Sequence, residues 1–255
     1  MIAKSKLMNE INNESGYALD FKLMPDELQV VRDVIKMHWL YRIQLLAQDH
    51  VTNFDKLGME KYHQLSHLLD HQTAWYTATR VLTRDGVSRI KEMNFFKKLQ
   101  SLFGNIAIAD EAKFGWDNML WRLVRPGNTD CASIHADRWF WDLASDWPVP
   151  AYPHERLNVW IAIHTVAGKN GLFVVPESQK RADWKWHTEE RYGQKKPVLD
   201  EDLDKLNLKL LPMESGDGVV FHHNLLHGGA PNSADTTRVS LEFTILVPTD
   251  GRVTI

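Results

Sequence analysis

The chain has 255 residues, of which 44% are hydrophobic, and this length predicts one domain over 1–255 with a buried core. Its formal net charge of −3 and its lack of a long apolar run argue against nucleic acid or a membrane as partner. A single cysteine excludes an intramolecular disulfide and a cysteine-based zinc cage, so we expect a soluble cytoplasmic protein.

Residues from about 1 to 117 are predicted to form a helical N-terminal part. After Pro25, apolar residues recur every three or four positions, at Leu28, Val31 and Ile35, which indicates an amphipathic helix. Similar spacing predicts further helices over about 55–76 and 88–104. We expect these helices to pack on the core that follows them.

The pattern changes at about residue 118, where apolar and polar residues begin to alternate. The segments MLWRLVR, RLNVWIAIH, GDGVVFHH and RVSLEFTILV show this alternation and are separated by Gly, Pro and Asn. Short strands without long intervening helices predict a mainly β fold with α, an antiparallel sandwich or barrel, over about 118–250. The charged, aromatic stretch at about 177–210 interrupts these strands and is predicted to be a lid-like insertion over one mouth of the core.

Three residues form a candidate metal site. His135 and Asp137 lie two positions apart, so on a strand their side chains would share one face, and His227 ends a later strand pattern. A His-x-Asp pair alone is more often a surface pair. Two histidines and one carboxylate on one face leave open coordination positions, as in non-haem iron(II) oxygenases, although zinc accepts the same donors.

The strand pattern RVSLEFTI adds a candidate carboxylate anchor. Its alternation places Arg238 and Ser240 on the same face. A guanidinium takes a carboxylate through two parallel hydrogen bonds, and a neighbouring hydroxyl can donate a third. The pair therefore predicts a site for the distal carboxylate of a dicarboxylic 2-oxo acid whose other end chelates the metal.

These motifs together resemble one known family. HAD at 135–137, NVWIAIHTVAGKNGLFVVPESQK, LLHGGAPN and TRVSLEF follow the order and spacing of the phytanoyl-CoA dioxygenase-like branch of the Fe(II)- and 2-oxoglutarate-dependent oxygenases, over about 119–248. The resemblance implies a double-stranded β-helix (jelly roll, cupin-like) core. It also implies iron(II), 2-oxoglutarate and O2 as cofactor and cosubstrates.

The resemblance implies roles for particular residues. It makes His135, Asp137 and His227 the iron ligands and Arg238 the partner of the 2-oxoglutarate carboxylate. It places Trp160 near the cosubstrate, together with an upstream basic residue, for which both Arg122 and Arg125 are candidates.

The implied activity is hydroxylation of an unactivated C–H bond in a small, polar or anionic metabolite. Halogenating relatives carry a small residue where this chain has Asp137, so the carboxylate favours hydroxylation. Two departures stand near the site: Pro176-Glu177-Ser178-Gln179 replaces the usual Pro-Gly-Ser-His, and Gly229 stands where a hydroxyl residue sometimes occurs.

The substrate cannot be read from the core motifs. Candidate substrate contacts are Trp139, Trp141, Trp184 and Arg181. Two other functions use the same metal donors: a jelly-roll metal-binding protein without turnover, and a cupin-type isomerase or hydrolase that does not need 2-oxoglutarate. Neither explains a carboxylate anchor at Arg238 and Ser240, and the sequence leaves the oligomeric state open.

Overall fold

The structure, a computed structural model, describes residues 2–128, 130–144, 146–191 and 194–249. The helices are α1 Ile2–Asn13, α2 Pro25–Leu46, α3 Val51–Leu57, α4 His71–Ala74, α5 Arg84–Lys91, α6 Asn94–Phe103 and α7 Asp137–Leu143. The strands are β1 Tyr17–Lys22, β2 Ala107–Ile108, β3 Leu120–Val124, β4 His154–His164, β5 Leu172–Val174, β6 Trp186–Arg191, β7 Gln194–Leu199, β8 Lys209–Leu210, β9 Asp217–His222, β10 His227–Gly229 and β11 Arg238–Pro248. The prediction of a mainly β fold preceded by helices is confirmed.

Two antiparallel sheets form the jelly-roll core. The larger one runs β1-β9-β4-β11-β2, with β3 also paired to β11, and the smaller one runs β10-β5-β8. Side chains from both sheets pack against each other, including Trp160 and Val219 from the larger sheet and Leu172 and Val174 from the smaller one. Within the described residues the sheets remain open and do not close into a barrel, which the alternation pattern had also allowed.

The N-terminal helices cover the outer face of the larger sheet. Helix α2 begins at Pro25, and Glu27 caps it by accepting a hydrogen bond from the backbone N–H of Met24 (2.9 Å). Glu27 also accepts from the N–H of Phe95 (3.1 Å) at the start of α6, which joins the two helices. Its buried residues include Val31 and Ile35, as the spacing predicted. They pack in one apolar cluster with the sheet. No helix in the described ranges is both long and apolar enough to cross a membrane.

The N-terminal part is less regular than the sequence indicated. Strand β1 lies within the segment expected to be helical and pairs with β9 at the edge of the larger sheet, burying Tyr17, Ala18 and Phe21. The helix expected over 55–76 is broken into the end of α3, short 3-10 turns and α4. Gly58, with φ of 81°, ends α3. Tertiary pairing and this glycine override the apolar periodicity.

The insertion at 177–210 contains a hairpin and then returns to the core. Strands β6 and β7 pair with each other, and Trp186 of β6 stacks on Trp139 of α7, with ring centroids 5.4 Å apart. Strand β8 pairs with β5 and therefore belongs to the smaller sheet. The hairpin, not the whole insertion, is thus the part that lies against α7.

Candidate metal and cosubstrate site

Three side chains converge on one point at the side of the jelly roll. One donor atom each from His135, Asp137 and His227 lies within 4.8 Å of the others, and no other such group occurs in the part of the chain that the structure describes. The Asp137 carboxylate lies between the imidazoles, with Oδ1 3.3 Å from His135 Nε2 and Oδ2 3.4 Å from His227 Nε2. The spacing prediction that these residues meet agrees with this geometry.

The backbone reason for the convergence differs from the expected one. His135 is not in a strand of several residues; it forms an isolated bridge with His227, with both N···O distances 2.9 Å. Asp137 is the first residue of α7. A bridge followed at once by a helix start therefore aims the two side chains together, and the shared strand face predicted for His135 and Asp137 is wrong.

Two glycines allow the segments carrying the histidines to approach. A Cβ atom on Gly228 would lie 3.1 Å from the carbonyl oxygen of Ser133, in the segment just before His135. A Cβ on Gly229 would lie 3.1 Å from Nη2 of Arg238. Both contacts are tighter than side chains normally make, so the pair after His227 permits the bridge and makes room for the guanidinium. This gives a physical reason for Gly229 at a position where a hydroxyl residue sometimes occurs.

The hydrogen bonds of both histidines leave Nε2 available. Nδ1 of His135 lies 2.6 Å from the carbonyl oxygen of Ser133, and Nδ1 of His227 lies 3.0 Å from that of Leu225. A carbonyl oxygen only accepts, so each Nδ1 donates, and each Nε2 keeps its lone pair toward Asp137. Burial lowers the pKa of His227, which favours the neutral imidazole that binds metals.

Asp137 is an anion in this setting. Its burial alone would raise the pKa, but positive charge on His227 and a hydrogen bond from His135, both present only when the rings carry the extra proton, hold the pKa of Asp137 below its ordinary value. A bound metal cation would take the place of those protons. A carboxylate and two imidazole Nε2 atoms suit a divalent cation that prefers mixed nitrogen and oxygen donors. The rings of Phe140 and Phe221 stand against His135 and His227, at 5.2 and 4.6 Å between centroids, and limit water around the group.

Arg238 and Ser240 form a buried polar pair that is only partly satisfied. Arg238 is 1% exposed, and its Nη1 donates to the carbonyl oxygens of Gly171 and Ala230. Among the described residues, neither Nε of Arg238 nor Oγ of Ser240 has a hydrogen-bond partner. A buried guanidinium without an acidic partner is costly. The pair therefore fits a ligand that brings its own carboxylate, and the Trp160 ring centroid lies 6.0 Å from Cζ of Arg238.

The two upstream arginines occupy different settings. Arg122 lies opposite Ser240 in the β3–β11 pairing, and its Nη2 is 2.6 Å from Oε1 of Glu242. Arg125 is held away by Asp130, which accepts from its Nε at 2.9 Å and from its Nη2 at 2.8 Å. Geometry therefore places Arg122, and not Arg125, beside the Arg238–Ser240 pair.

The substrate candidates in the insertion, Arg181 and Trp184, make contacts within the insertion itself. Arg181 donates to Asp183 at 2.9 Å and to Glu201 at 3.1 Å, and its guanidinium covers the ring of Trp184 at 4.1 Å. Trp184 in turn donates to the carbonyl oxygen of Ser178. Arg181 is exposed, whereas Trp184 is partly buried and packs against an apolar cluster that includes Ile134 and Leu226, the residues before the two histidines.

The candidates on α7 lie nearer to the donors. Trp139 is 6% exposed and is covered by Trp186, so it joins α7 to the hairpin. Trp141 packs in a small cluster with Ala109 and Leu246, where its indole hydrogen-bonds Glu111 and its ring is covered by Arg156 at 4.1 Å. Among the candidate substrate tryptophans that the structure describes, Trp141 is the one that contacts the polar chain at Glu111, which is described next.

A chain of hydrogen-bonded polar side chains on the inner face of β11 was not identified from the sequence. Asn158 donates to Thr244 (3.1 Å), and Thr244 donates to Glu111 (2.7 Å). Burial, with the nearby charge of Asp137, raises the pKa of Glu111 to about 7, although the bonds from Thr244 and Trp141 oppose this. The alternation along β11 places Thr244 on the same face as Arg238, so the sequence could have indicated Thr244. No local sequence pattern indicates Glu111.

The turn at 176–179 explains the departure from Pro-Gly-Ser-His. Glu177 has φ of 67°, a left-handed conformation in which glycine is unstrained. Gln179 is buried and donates to the carbonyl oxygen of Glu14 at the end of α1. Ser178 Oγ accepts from the N–H of Leu226 at 2.8 Å, which secures the residue before His227. The positive φ of Glu177 shows that this turn uses a conformation that suits the glycine of the usual motif.

Comparison with solved structures supports the same fold. The chain is 14% identical to AviO1 from Streptomyces viridochromogenes Tue57, covering 96% of each chain with a TM-score of 0.56. It is 16% identical to SnoK, a non-haem α-ketoglutarate-dependent carbocyclase from nogalamycin biosynthesis, covering 93% of this chain and 82% of that one, with a TM-score of 0.56. It is 14% identical to the non-haem monooxygenase ThoJ, covering 96% and 80%, with a TM-score of 0.56.

No curated protein sequence matches this chain. The family model of phytanoyl-CoA dioxygenase matches residues 14–240, which include the three donors, Arg238 and Ser240. Its extent covers most of the helical part as well as the jelly roll, so the match does not depend on the metal motif alone. The chain therefore belongs to the phytanoyl-CoA dioxygenase family, the non-haem oxygenases whose cofactors are iron(II) and 2-oxoglutarate.

Proposed function

We propose that this protein hydroxylates an unactivated C–H bond of a small, polar or anionic metabolite, with iron(II), 2-oxoglutarate and O2. In this proposal His135, Asp137 and His227 hold the iron on one face and leave the opposite positions open. When bound, iron(II) with 2-oxoglutarate and O2 supplies the oxidising chemistry. The protein binds and orients the metal, the cosubstrate and the substrate, and it excludes water from them.

The observation that carries the proposal is the unsatisfied Arg238–Ser240 pair. Arg238 Nε and Ser240 Oγ are buried without hydrogen-bond partners in the described structure, and Gly229, two residues after His227, abuts the guanidinium. A dicarboxylate bound at the metal donors by its 2-oxo acid end would offer its far carboxylate to this pair. Trp160 flanks this position and Arg122 lies across the strand from Ser240.

The polar residues of β11 follow one another along its inner face in a fixed order. Arg238 and Ser240 come first, Glu242 is paired with Arg122 in the middle, and Thr244 with Glu111 lies beyond. If the first two residues serve the cosubstrate, the substrate occupies the space past Glu242. Trp141, which hydrogen-bonds Glu111 and packs against Leu246, lies at that end of the strand.

Two other functions use the same donors without 2-oxoglutarate: a metal-binding protein without turnover, and a cupin-type isomerase or hydrolase. Both functions leave the buried Arg238 without an anionic partner, whereas an oxygenase would supply the 2-oxoglutarate carboxylate. We therefore favour the oxygenase. A cytoplasmic location remains part of the proposal, because a single cysteine suits a reducing compartment.

The proposal is tested by aerobic turnover of a metabolite panel with iron(II) and 2-oxoglutarate. We expect succinate release to rise with one class of metabolite, and the product to gain one oxygen atom by mass spectrometry. Asp137→Ala should abolish both signals, and His222→Ala, which changes a histidine outside the donor group, should retain them. A product that instead loses two hydrogens would contradict hydroxylation, and turnover without succinate would contradict the oxygenase assignment.

A further inference from the structure

The β6–β7 hairpin carries a lysine to the edge of the metal donors. The ammonium nitrogen of Lys196 lies 5.7 Å from the ring centroid of Phe140, and that ring stands edge-on to His135 at 5.2 Å. Lys196 is half-buried, whereas the preceding Lys195 is exposed. The stack of Trp186 on Trp139 fixes the hairpin against α7, so this placement follows from packing and not from a free surface chain.

Positive charge exceeds negative charge behind Lys196. Arg80 is 6% exposed and donates to the carbonyl oxygens of Trp75 (2.8 Å) and Trp121 (2.9 Å), with no carboxylate within ion-pair distance in the described ranges. Arg122 is paired with Glu242. Glu242 is the carboxylate near all three cationic side chains, and Asp137 acts on Arg122 as well. Three positive charges in a partly desolvated space are costly unless a further anion joins them.

The acid–base behaviour of Lys196 agrees with this charge balance. Burial and the nearby positive charges of Arg122 and Arg80 together lower the pKa of Lys196 to about 8, against a smaller opposing effect of Glu242. Among the described residues no carboxylate lies within 4.0 Å of its ammonium group. The amine is still mostly protonated at neutral pH, and an incoming anion would relieve the repulsion.

We propose that Lys196, with Arg122 and Arg80 behind it, binds an anionic oxygen group of the substrate, such as a carboxylate or phosphate. The inference rests on the proposed function, since it names the substrate class of that same site. It assigns the anion contact to the hairpin strand β7 and not to Arg181, which is occupied by Asp183 and Glu201. It also gives the hairpin a role in substrate selection, because the contact forms only where the hairpin meets α7.

The test uses sulfate as the probe, with the protein loaded with zinc(II) and 2-oxoglutarate so that the cosubstrate anchor is occupied. Lysine amines are reductively methylated with ¹³C-formaldehyde, which preserves their charge, and the signal of Lys196 is assigned by its loss in Lys196→Met. We expect saturating sulfate to raise the pKa of this signal by about one unit, which corresponds to about tenfold tighter binding to the protonated amine. The Lys195 signal should not move.

Calorimetry supplies the matched comparison. Lys196→Met should weaken sulfate binding at least tenfold, while Lys195→Met and Arg181→Met leave it unchanged. Equal sulfate affinity in Lys196→Met, an unmoved Lys196 signal, or an equal loss in Lys195→Met would overturn the inference. Thermal unfolding of Lys196→Met and Lys195→Met is compared first, so that a folding defect is recognised.

The affinity for 2-oxoglutarate is measured in the same variants. We expect Lys196→Met to bind 2-oxoglutarate as wild type does. An equal loss of sulfate and 2-oxoglutarate binding would place Lys196 in the cosubstrate site and overturn the inference. Failure of wild type to bind 2-oxoglutarate would instead remove the proposed function, and the sulfate titration of the zinc-loaded protein would still decide the role of Lys196.

Discussion

The two faces of strand β11 have opposite character. On the outer face Val239, Leu241, Phe243 and Ile245 are at most 4% exposed and pack in one apolar cluster with the N-terminal helices. On the inner face Arg238, Ser240, Glu242 and Thr244 present polar groups, some of them buried without partners. The outer face obeys the usual rule for a core, and the inner face departs from it where a ligand can supply the missing bonds. One strand thus separates the residues that hold the fold from those that hold the reactants.

The largest expected effect lies at the donor group. His227→Ala removes an Nε2 ligand, and we expect divalent-metal affinity to fall by about a thousandfold, or about 4 kcal/mol. Competitive titration with a chelating dye measures it. His222→Ala is the matched control, since His222 lies on β9 outside the donor group. Equal losses in the two variants would mean that the metal binds elsewhere.

The next effect separates the two faces of β11 directly. Phe243→Ala on the outer face should lower the free energy of unfolding by about 3–4 kcal/mol, because it empties a filled position in the core. Urea denaturation measures this loss. The folded variant should bind metal and 2-oxoglutarate as wild type does. A variant that keeps its stability but loses 2-oxoglutarate would break the division between the faces.

On the inner face, Arg238→Ala should weaken 2-oxoglutarate binding by about a hundredfold, since hydrogen bonds to charged groups contribute about 1.5–3 kcal/mol. Metal affinity should stay unchanged. Equilibrium binding to the zinc-loaded protein measures both. Arg125→Ala is the control, because Asp130 already holds that guanidinium. A larger loss in Arg125→Ala than in Arg238→Ala would reverse the assignment of the anchor.

The smallest effect concerns Glu111 and pH. Its pKa is raised to about 7 in the folded protein, so between its ordinary value of 4.5 and about 7 the native state binds a proton that the unfolded chain has lost. Stability from this group is therefore present at low pH and declines as pH rises through that window. Glu111→Gln should flatten this part of the pH profile by a few degrees in Tm, since about 1 kcal/mol shifts Tm by 2–4 °C. Calorimetric scans measure Tm against pH for wild type and for Glu111→Gln. Parallel curves for the two would contradict the raised pKa of Glu111.

Sequence reasoning was most successful for the three metal donors and for strand β11. The spacing of His135, Asp137 and His227 predicted a group that the structure brings together. Alternation along β11 separately placed Arg238 and Ser240 on one face. The prediction that Asp137 lies on a strand was wrong, because Asp137 begins helix α7. The first residue of a helix can direct its side chain to the same point as a strand residue would. The ion pair of Arg181 with Glu201, 20 residues further along the chain, has no signal in the sequence pattern.

The remaining groups depend on contacts between distant parts of the chain. Glu111 meets Thr244 across 133 residues, and Lys196 reaches Phe140 only after the hairpin packs on α7. Strand β1 was missed because its buried face forms only when β9 pairs with it. Such positions carry no local pattern, so side-chain type and spacing alone do not identify them.

The central claim is that the inner face of β11 and the histidine–aspartate group bind iron(II) and 2-oxoglutarate together. Anaerobic visible absorption of the metal-free protein, titrated with iron(II) and then with 2-oxoglutarate, tests it most directly. We predict a weak charge-transfer band that requires both ligands and is reduced in Asp137→Ala and in Arg238→Ala. Iron binding without any band on addition of 2-oxoglutarate would contradict the account and favour a function that does not use the cosubstrate.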